Sequence, residues 1–273
     1  MTSLLGRARS GVRQRAPHLG FLYDRARGRT EVRDIDLAAA EVVARASPAD
    51  LRDAERLERL IPHVGLHDVP VPDALTGFRG HGLRLFQLPN QFAPYLALLA
   101  RHRIGSYVEI GLEHGGSFVL TATYLKALGN VLRHEVAVDL RYAPGAGRYV
   151  RRTPAAVQWL VDTRSSEFRV RCRSLAPIGL VLIDGDHSYD GCLADFETVH
   201  GYADLIAFHD IVDLEARDVA RVWAEVQRWH ADEYEFAEFI EQYRENDERH
   251  PGRPFFGIGV AVRRAPLRRQ GEA

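Results

Sequence analysis

The run Val108-Glu109-Ile110-Gly111-Leu112-Glu113-His114-Gly115-Gly116-Ser117 decides the fold. It reads as the end of an apolar strand from Tyr107 to Ile110, a turn carrying glycines, and the start of a helix over about 116 to 128. Strand, tight turn and helix in that order is the grammar of a parallel sheet covered by helices. Glycines at 111, 115 and 116 let the chain turn sharply and bring backbone N–H groups to a ligand. The helix N-terminus behind them favours an anionic group there. The dinucleotide fingerprint G-x-G-x-x-G is not met, because position 113 is Glu.

The alternation continues on both sides. Upstream, Phe92, Tyr95, Leu96 and Leu99 share one helix face. Downstream come a strand at Val136 to Val138, a Gly/Pro/Arg loop around 143 to 153 and a strand at Val157 to Val161. The continuous apolar run Ile178 to Ile183 reads as a strand covered on both faces. A helix with Tyr189, Cys192, Leu193, Phe196 and Val199 in register precedes the strand Leu205 to Phe208. A helix bearing Val219, Val222, Trp223, Val226 and Trp229 leads to a late strand over Phe255 to Val262, with Gly257 and Gly259 at close-approach positions. The expectation is a doubly wound, mostly parallel α/β domain over 91–273. A helical lead-in or cap occupies 34–90, where Ser47-Pro48 opens a pattern with Leu51, Ala54, Leu57, Leu60 and Ile61 on one face. The arginine-rich, acid-poor stretch 1–33 reads as a flexible basic arm.

Composition limits the function. The chain has 273 residues, 46% hydrophobic and 27% charged, which is ordinary globular usage and excludes fibrous and wholly disordered classes. A net charge of −1 supplies no global field toward nucleic acid or an anionic membrane, and there is no apolar run of the ~20 residues needed to span one. The two cysteines, Cys172 and Cys192, form no disulfide framework, so the expected setting is a reducing cytoplasm.

In open α/β sheets, ligands sit outside the carboxyl ends of the strands. Here those ends carry the chemistry. The second core strand ends in Asp139, 28 residues after Gly111, placed to accept hydrogen bonds from two ribose hydroxyls, a role that the glycine turn and the strand end favour over an ordinary helix cap. The fourth ends in Asp184-Gly185-Asp186-His187 and the fifth in His209-Asp210. Two neighbouring strands that both deliver carboxylate and imidazole can hold one divalent cation and leave a proton acceptor free. Individually, Asp186 or Ser188 also fits as a helix cap, His187 as a packing histidine and His209 as a hydrogen-bond partner of backbone.

These four runs, with Leu182-Ile183 before Asp184, Ser188-Tyr189 after His187 and Ala207-Phe208 before His209, together resemble a class I S-adenosylmethionine-dependent methyltransferase. More narrowly they are similar to its metal-dependent O-methyltransferase branch, which includes enzymes that methylate sugar hydroxyls. The resemblance implies a Rossmann-like class I methyltransferase fold. It places Glu109, Gly111, Gly115 and Ser117 at the amino-acid end of the cofactor, Asp139 at the ribose and Asp162 near the adenine. It makes Asp184, His209 and Asp210 ligands of a divalent cation, with Mg²⁺ expected, and His187 the general base with Asp186 beside it in the catalytic group. The implied reaction is methyl transfer to a hydroxyl of a small molecule or sugar.

Two rival functions stay open on the sequence. Imidazole at 209 shifts metal preference toward softer ions, and Asp184, His187 and His209 would form the two-histidine, one-carboxylate set of a non-haem iron oxygenase or hydroxylase. A cofactor-binding partner protein without turnover is the other. For the acceptor, the candidates are Phe86, Gln87 and Gln91, the 143–153 loop, and an insert over Tyr234 to His250. That insert's aromatics read equally as a lid over a sugar or as a contact in a homo-oligomer.

Overall fold

The structure, a computed structural model, describes residues 35–61, 71–78 and 82–267. The arginine-rich stretch 1–33 lies outside these. Seven strands are formed by the described residues: β1 (Ser106–Ile110), β2 (His134–Asp139), β3 (Ala156–Leu160), β4 (Ile178–Ile183), β5 (Ala203–His209), β6 (Tyr234–Phe239) and β7 (Ile258–Arg263). They make one sheet in the order β3-β2-β1-β4-β5-β7-β6. The first five are parallel, and β7 runs antiparallel to both β5 and β6. All six residues of β4 are buried, as its unbroken apolar run requires of a strand covered on both faces.

Helices α1 (Glu41–Ala44), α2 (Pro48–Arg52), α3 (Ala54–Leu60) and α4 (Pro89–Leu99) precede the sheet. Between or after the strands come α5 (Gly116–Ala127), α6 (Pro144–Val150), α7 (Ser166–Leu175), α8 (Tyr189–Val199), α9 (Arg217–Trp229) and α10 (Arg244–Arg249). The two sheet faces have separate cores. Tyr107, Phe118, Leu180 and Leu182 pack with Phe92, Tyr95 and Leu96 of α4 and with Val43, Leu51, Leu57 and Ile61 of the lead-in. Val108, Ile110, Val181 and Ile183 pack with Phe168, Phe196, Val222 and Trp223 on the other side.

The structure differs from the sequence reading in four places. The pattern at 47–61 is two helices, because Asp53 leaves the helical region (φ −99, ψ 113) and caps α3 by accepting from Arg56 N at 3.1 Å. The expected 143–153 loop contains α6, started by Pro144 at its first turn. Its Gly145 and Gly147 are there because a Cβ would fall 2.3 Å from Ile35 and 2.0 Å from the Tyr142 hydroxyl. Helix α7 went unnoticed in the sequence, although Ser165 caps it and Phe168 and Cys172, four apart, are its buried residues. The Tyr234–His250 insert, read as a lid or an oligomer contact, forms edge strand β6 followed by α10, with Tyr234 and Tyr243 buried.

Candidate active site

The strand order reverses between β1 and β4, and a cleft of about 720 Å³ opens there beyond the carboxyl ends of β1, β2, β4 and β5. Gly111 forms its floor in the left-handed conformation (φ +85), a position favouring glycine. Asp139 stands at the wall. Its Oδ2 accepts from Leu112 N (3.0 Å) and its Oδ1 from Arg141 N (2.7 Å), tying the β1 turn to the end of β2. Asp162 also lines the cleft, and Arg164 bridges it to Asp186 at 3.4 Å on each side.

Glu109, Gly115 and Ser117 lie behind this surface and do not line it. Glu109 shares the sheet face of Tyr107, so period-two alternation sends its carboxyl under α5. There it accepts hydrogen bonds from the hydroxyls of Tyr107 and Ser117. Burial, opposed by those two bonds, pushes its pKa up to about 8. Gly115, also left-handed, abuts Ala146 of α6.

An acid with a raised pKa keeps its proton in the folded chain between about pH 4.5 and 8, where the unfolded chain has released it. Ligand-free stability therefore falls as pH climbs through that window. Glu109→Gln, neutral throughout, is expected to flatten the stability difference between pH 5 and 8 by about 2–4 kcal/mol in urea denaturation. Equal slopes in the two proteins would refute the assignment.

Asp184, His187, His209 and Asp210 converge at the other end of the cleft. His209 is buried. Its Nε2 donates to the Phe86 carbonyl at 3.0 Å, which leaves Nδ1 facing the two carboxylates. Nδ1 lies 3.0 Å from Asp184 Oδ1 and 2.9 Å from Asp210 Oδ1. Both are ion-pair distances, but neither approach is aligned as a hydrogen bond, and His209 Nδ1 and Asp210 Oδ1 are both buried. Burial alone would lower the pKa of His209, but the two carboxylates outweigh it and raise the value well above normal. Burial would likewise raise Asp184, yet His209 and His187 hold it below the usual carboxylate range.

His187 occupies the open side, its Nε2 3.4 Å from Asp184 and 3.6 Å from Asp210. The hydrogen bond with Asp184 and the nearby carboxylate charges raise its pKa against burial. Asp186 points away from this group: its Oδ1 accepts from Ser188 N at the start of α8 and its Oδ2 from Arg164. Among the described residues, Asp184, His187 and Asp210 each offer a ligand atom within 4.8 Å of the others.

Backbone strain gathers at the same place. Glu113 (φ +44), Asp210 (φ +63) and Phe256 (φ +57) are left-handed without being glycine, and all three line the cleft. Each such residue costs ~1–3 kcal/mol and persists only where its surroundings enforce it.

Three residues here escaped the sequence reading. Phe256 and Arg164 had no local signal. Asp195 did: it falls on the apolar face of α8 between Cys192 and Val199. Its carboxyl is buried beneath Gly185, and burial lifts its pKa to about 6. Gln91 is a structural tie, its amide bonded to the backbone of Glu241, Phe255 and Gly257.

A sheet of this order, with its last strand antiparallel and its ligand cleft at the β1/β4 switch, is a Rossmann-like class I methyltransferase fold. Residues 108–211 match the model of a methyltransferase domain family. That segment contains every candidate residue above from Glu109 to Asp210, and the protein is a methyltransferase. This favours methyl transfer over the oxygenase reading. No curated protein matches the chain in sequence.

Similar solved structures include an O-methyltransferase from Bacillus cereus in complex with SAH, 14% identical over 80% of this chain and 93% of that one, TM-score 0.42. TomG, an O-methyltransferase from Streptomyces achromogenes involved in tomaymycin synthesis, solved with SAM, is 15% identical over 80% and 91%, TM-score 0.43. CalS11, a TDP-rhamnose 3'-O-methyltransferase of calicheamicin biosynthesis, is 18% identical over 81% and 96%, TM-score 0.43. Among the described residues no helix is long and apolar enough to cross a membrane.

Proposed function

We propose that this methyltransferase moves the methyl group of S-adenosylmethionine to a hydroxyl of a small molecule or sugar, with a divalent cation at Asp184, His209 and Asp210 and with His187 as base. The observation that carries the reading is the pair of buried ligand atoms, His209 Nδ1 and Asp210 Oδ1, 2.9 Å apart without an aligned hydrogen bond in the cleft that Gly111 and Asp139 line. Two donors ~2.1 Å from one small ion and at right angles are ~3 Å apart, so the residues fit such an ion. In this reading 91–273 form the cofactor-binding domain, 34–90 a cap and 1–33 a basic arm.

S-adenosylmethionine supplies an activated methyl on a sulfonium, and a divalent cation, Mg²⁺ by the preference of carboxylates, lowers the pKa of an acceptor hydroxyl and orients it. The protein does the rest. Gly111 brings backbone to the amino-acid end, with Glu109 and Ser117 bracing the turn from behind and Gly115 seating it on α6. Asp139 keeps a free lone pair on each oxygen for the ribose hydroxyls after accepting from Leu112 and Arg141. Asp162 and Arg164 border the adenine end. His187, open to the cleft, takes the acceptor proton, and the carboxylates beside its Nε2 stabilise the imidazolium that results. Asp186, through Ser188 N, sets the start of α8 and so the aim of His187.

Isothermal titration with S-adenosylmethionine, with Mg²⁺ and with a chelator, is expected to give one site per chain. Asp139→Ala should weaken it at least ~10-fold, the loss of two charge-assisted hydrogen bonds. Absence of binding in both buffers would overturn the reading.

A further inference from the structure

One buried acid has no part in the reaction proposed above. Asp195 is 1% exposed on the inner face of α8, and among the described residues no aligned hydrogen bond reaches either of its carboxyl oxygens. Buried carboxyls are ordinarily satisfied, so this one calls for a reason. Its position supplies one. Gly191, one turn earlier on the same helix face, lines the cleft, so Asp195 stands behind the cleft wall. To one side lies the turn after β4, where a Cβ on Gly185 would fall 3.3 Å from Asp195 Oδ2. To the other lies the loop between β3 and α7, whose Thr163 hydroxyl approaches the carboxyl.

That loop is the wall of the cleft at the adenine end, with Val161, Asp162, Thr163 and Arg164 all lining it. Its base is tied. Asp162 Oδ1 accepts from Arg164 N at 2.9 Å, Asp162 O accepts from Ser165 N at 3.0 Å, and Ser165 caps α7 through Phe168 N at 3.2 Å. On the solvent side Arg164 joins the loop to Asp186 at 3.4 Å, an exposed pair that holds little. Thr163, at the bend, is fixed by neither tie. The group placed to fix it from within is Asp195.

Burial raises the pKa of Asp195 to about 6. The Thr163 hydroxyl opposes the rise, Asp186 and Asp162 add to it, and Arg164 works against it. The thiols of Cys172 on α7 and Cys192 on α8, also packed near this carboxyl, are pushed up to about 12 by burial and by Asp195, and stay neutral. Near pH 6 the carboxyl is therefore balanced between two forms. The ionised form is the stronger acceptor for a hydroxyl.

Resting on the S-adenosylmethionine reading above, we propose that Asp195 is a positioning residue of the adenine end: cofactor packing against the 161–165 loop closes the Thr163 hydroxyl onto the Asp195 carboxylate. Asp195 does not touch the cofactor. It acts through Thr163, and because the bond favours the ionised carboxyl, binding drives off its proton.

The test is isothermal titration of the full chain with S-adenosylmethionine in the presence of a chelator, between pH 5 and 7.5. Paired MES and imidazole buffers, which differ in ionisation heat, count the protons released. Asp195→Asn keeps an oxygen to accept from Thr163 and cannot titrate, and it cancels the contribution of every other group. It is expected to match wild-type affinity at pH 7.5. Relative to it, the wild type should lose affinity by at least ~3-fold at pH 5 and release about 0.3 proton more per site at pH 6. Asp195→Leu, which fills the space without an acceptor, should bind at least ~5-fold more weakly than Asp195→Asn at every pH. Thr163→Val leaves the carboxyl in place and should show the same loss, which keeps the comparison decisive if Asp195→Leu does not fold. Equal pH slopes and proton counts in wild type and Asp195→Asn, or undiminished affinity in Asp195→Leu or Thr163→Val, would overturn the inference and leave the cofactor reading standing. A wild-type protein that binds no S-adenosylmethionine would overturn both.

Discussion

His187→Ala is expected to lower kcat by ~10²–10⁴-fold while leaving divalent-metal affinity within about two-fold, and Asp184→Asn is expected to abolish both. The split follows from which nitrogen each histidine has committed. His209 gives its Nε2 hydrogen to the Phe86 carbonyl, and that bond fixes the tautomer and aims the other nitrogen at the carboxylates, as outer hydrogen bonds do for metal-bound imidazoles. His187 has a long hydrogen bond to Asp184 in place of such a backbone anchor. Its Nε2 approaches Asp184 and Asp210 from the open side at 3.4 and 3.6 Å, and its side chain remains 42% exposed, where an acceptor can reach it. Mn²⁺ titration followed by electron paramagnetic resonance, paired with kinetics under saturating metal, separates the roles. A ten-fold or greater loss of Mn²⁺ affinity in His187→Ala would make His187 a ligand and send the search for the base elsewhere.

The parts of this molecule that were legible in the sequence are those decided locally. Continuous apolar strands such as Ile178 to Ile183 announce themselves, and the parallel sheet they build must deliver its ligand residues at their carboxyl ends, so Asp184, Asp139, His209 and Asp210 could be picked out from position alone. What escaped was decided at a distance. Helix α6 is hidden by two glycines whose reason is the side chains of Ile35 and Tyr142. The alternation of Tyr234, Phe236 and Glu238 with their neighbours fits a strand, but its pairing partner, β7, lies about twenty residues further on. The parity of Glu109 with Tyr107 is a sequence property, and it places the carboxyl under α5, against Ser117. No local pattern marks the left-handed backbone at Asp210 or Phe256, because tertiary contacts impose it.

Gly111→Ala is expected to destabilise the protein by at least ~3 kcal/mol and to reduce S-adenosylmethionine affinity by more than ~100-fold, whereas Gly129→Ala should cost only ~1 kcal/mol and leave binding intact. Both glycines are left-handed, φ +85 and φ +87, so the intrinsic strain of adding a Cβ is the same. Their surroundings are not. At Gly129 nothing lies within 4 Å of the added atom. At Gly111 the Cβ would sit 1.8 Å from the carbonyl oxygen of Asp184 and 2.8 Å from the Cα of Gly185, and both obstacles are backbone. That backbone has little freedom to retreat: Gly111 N donates to Val138 O at 2.9 Å and Asp184 N to Ile110 O at 2.8 Å, binding the ends of β2, β1 and β4 together. Room for a methyl group must come from opening β1 from β4 at the point where Asp184 enters the charged cluster and the glycine turn meets the cofactor. The same contact therefore couples the two halves of the cleft, and both should fail together. Urea midpoints and binding titrations on the two variants decide it, since matching losses at Gly111 and Gly129 would mean that strain in the turn, and not the closeness of β1 and β4, is what glycine relieves there.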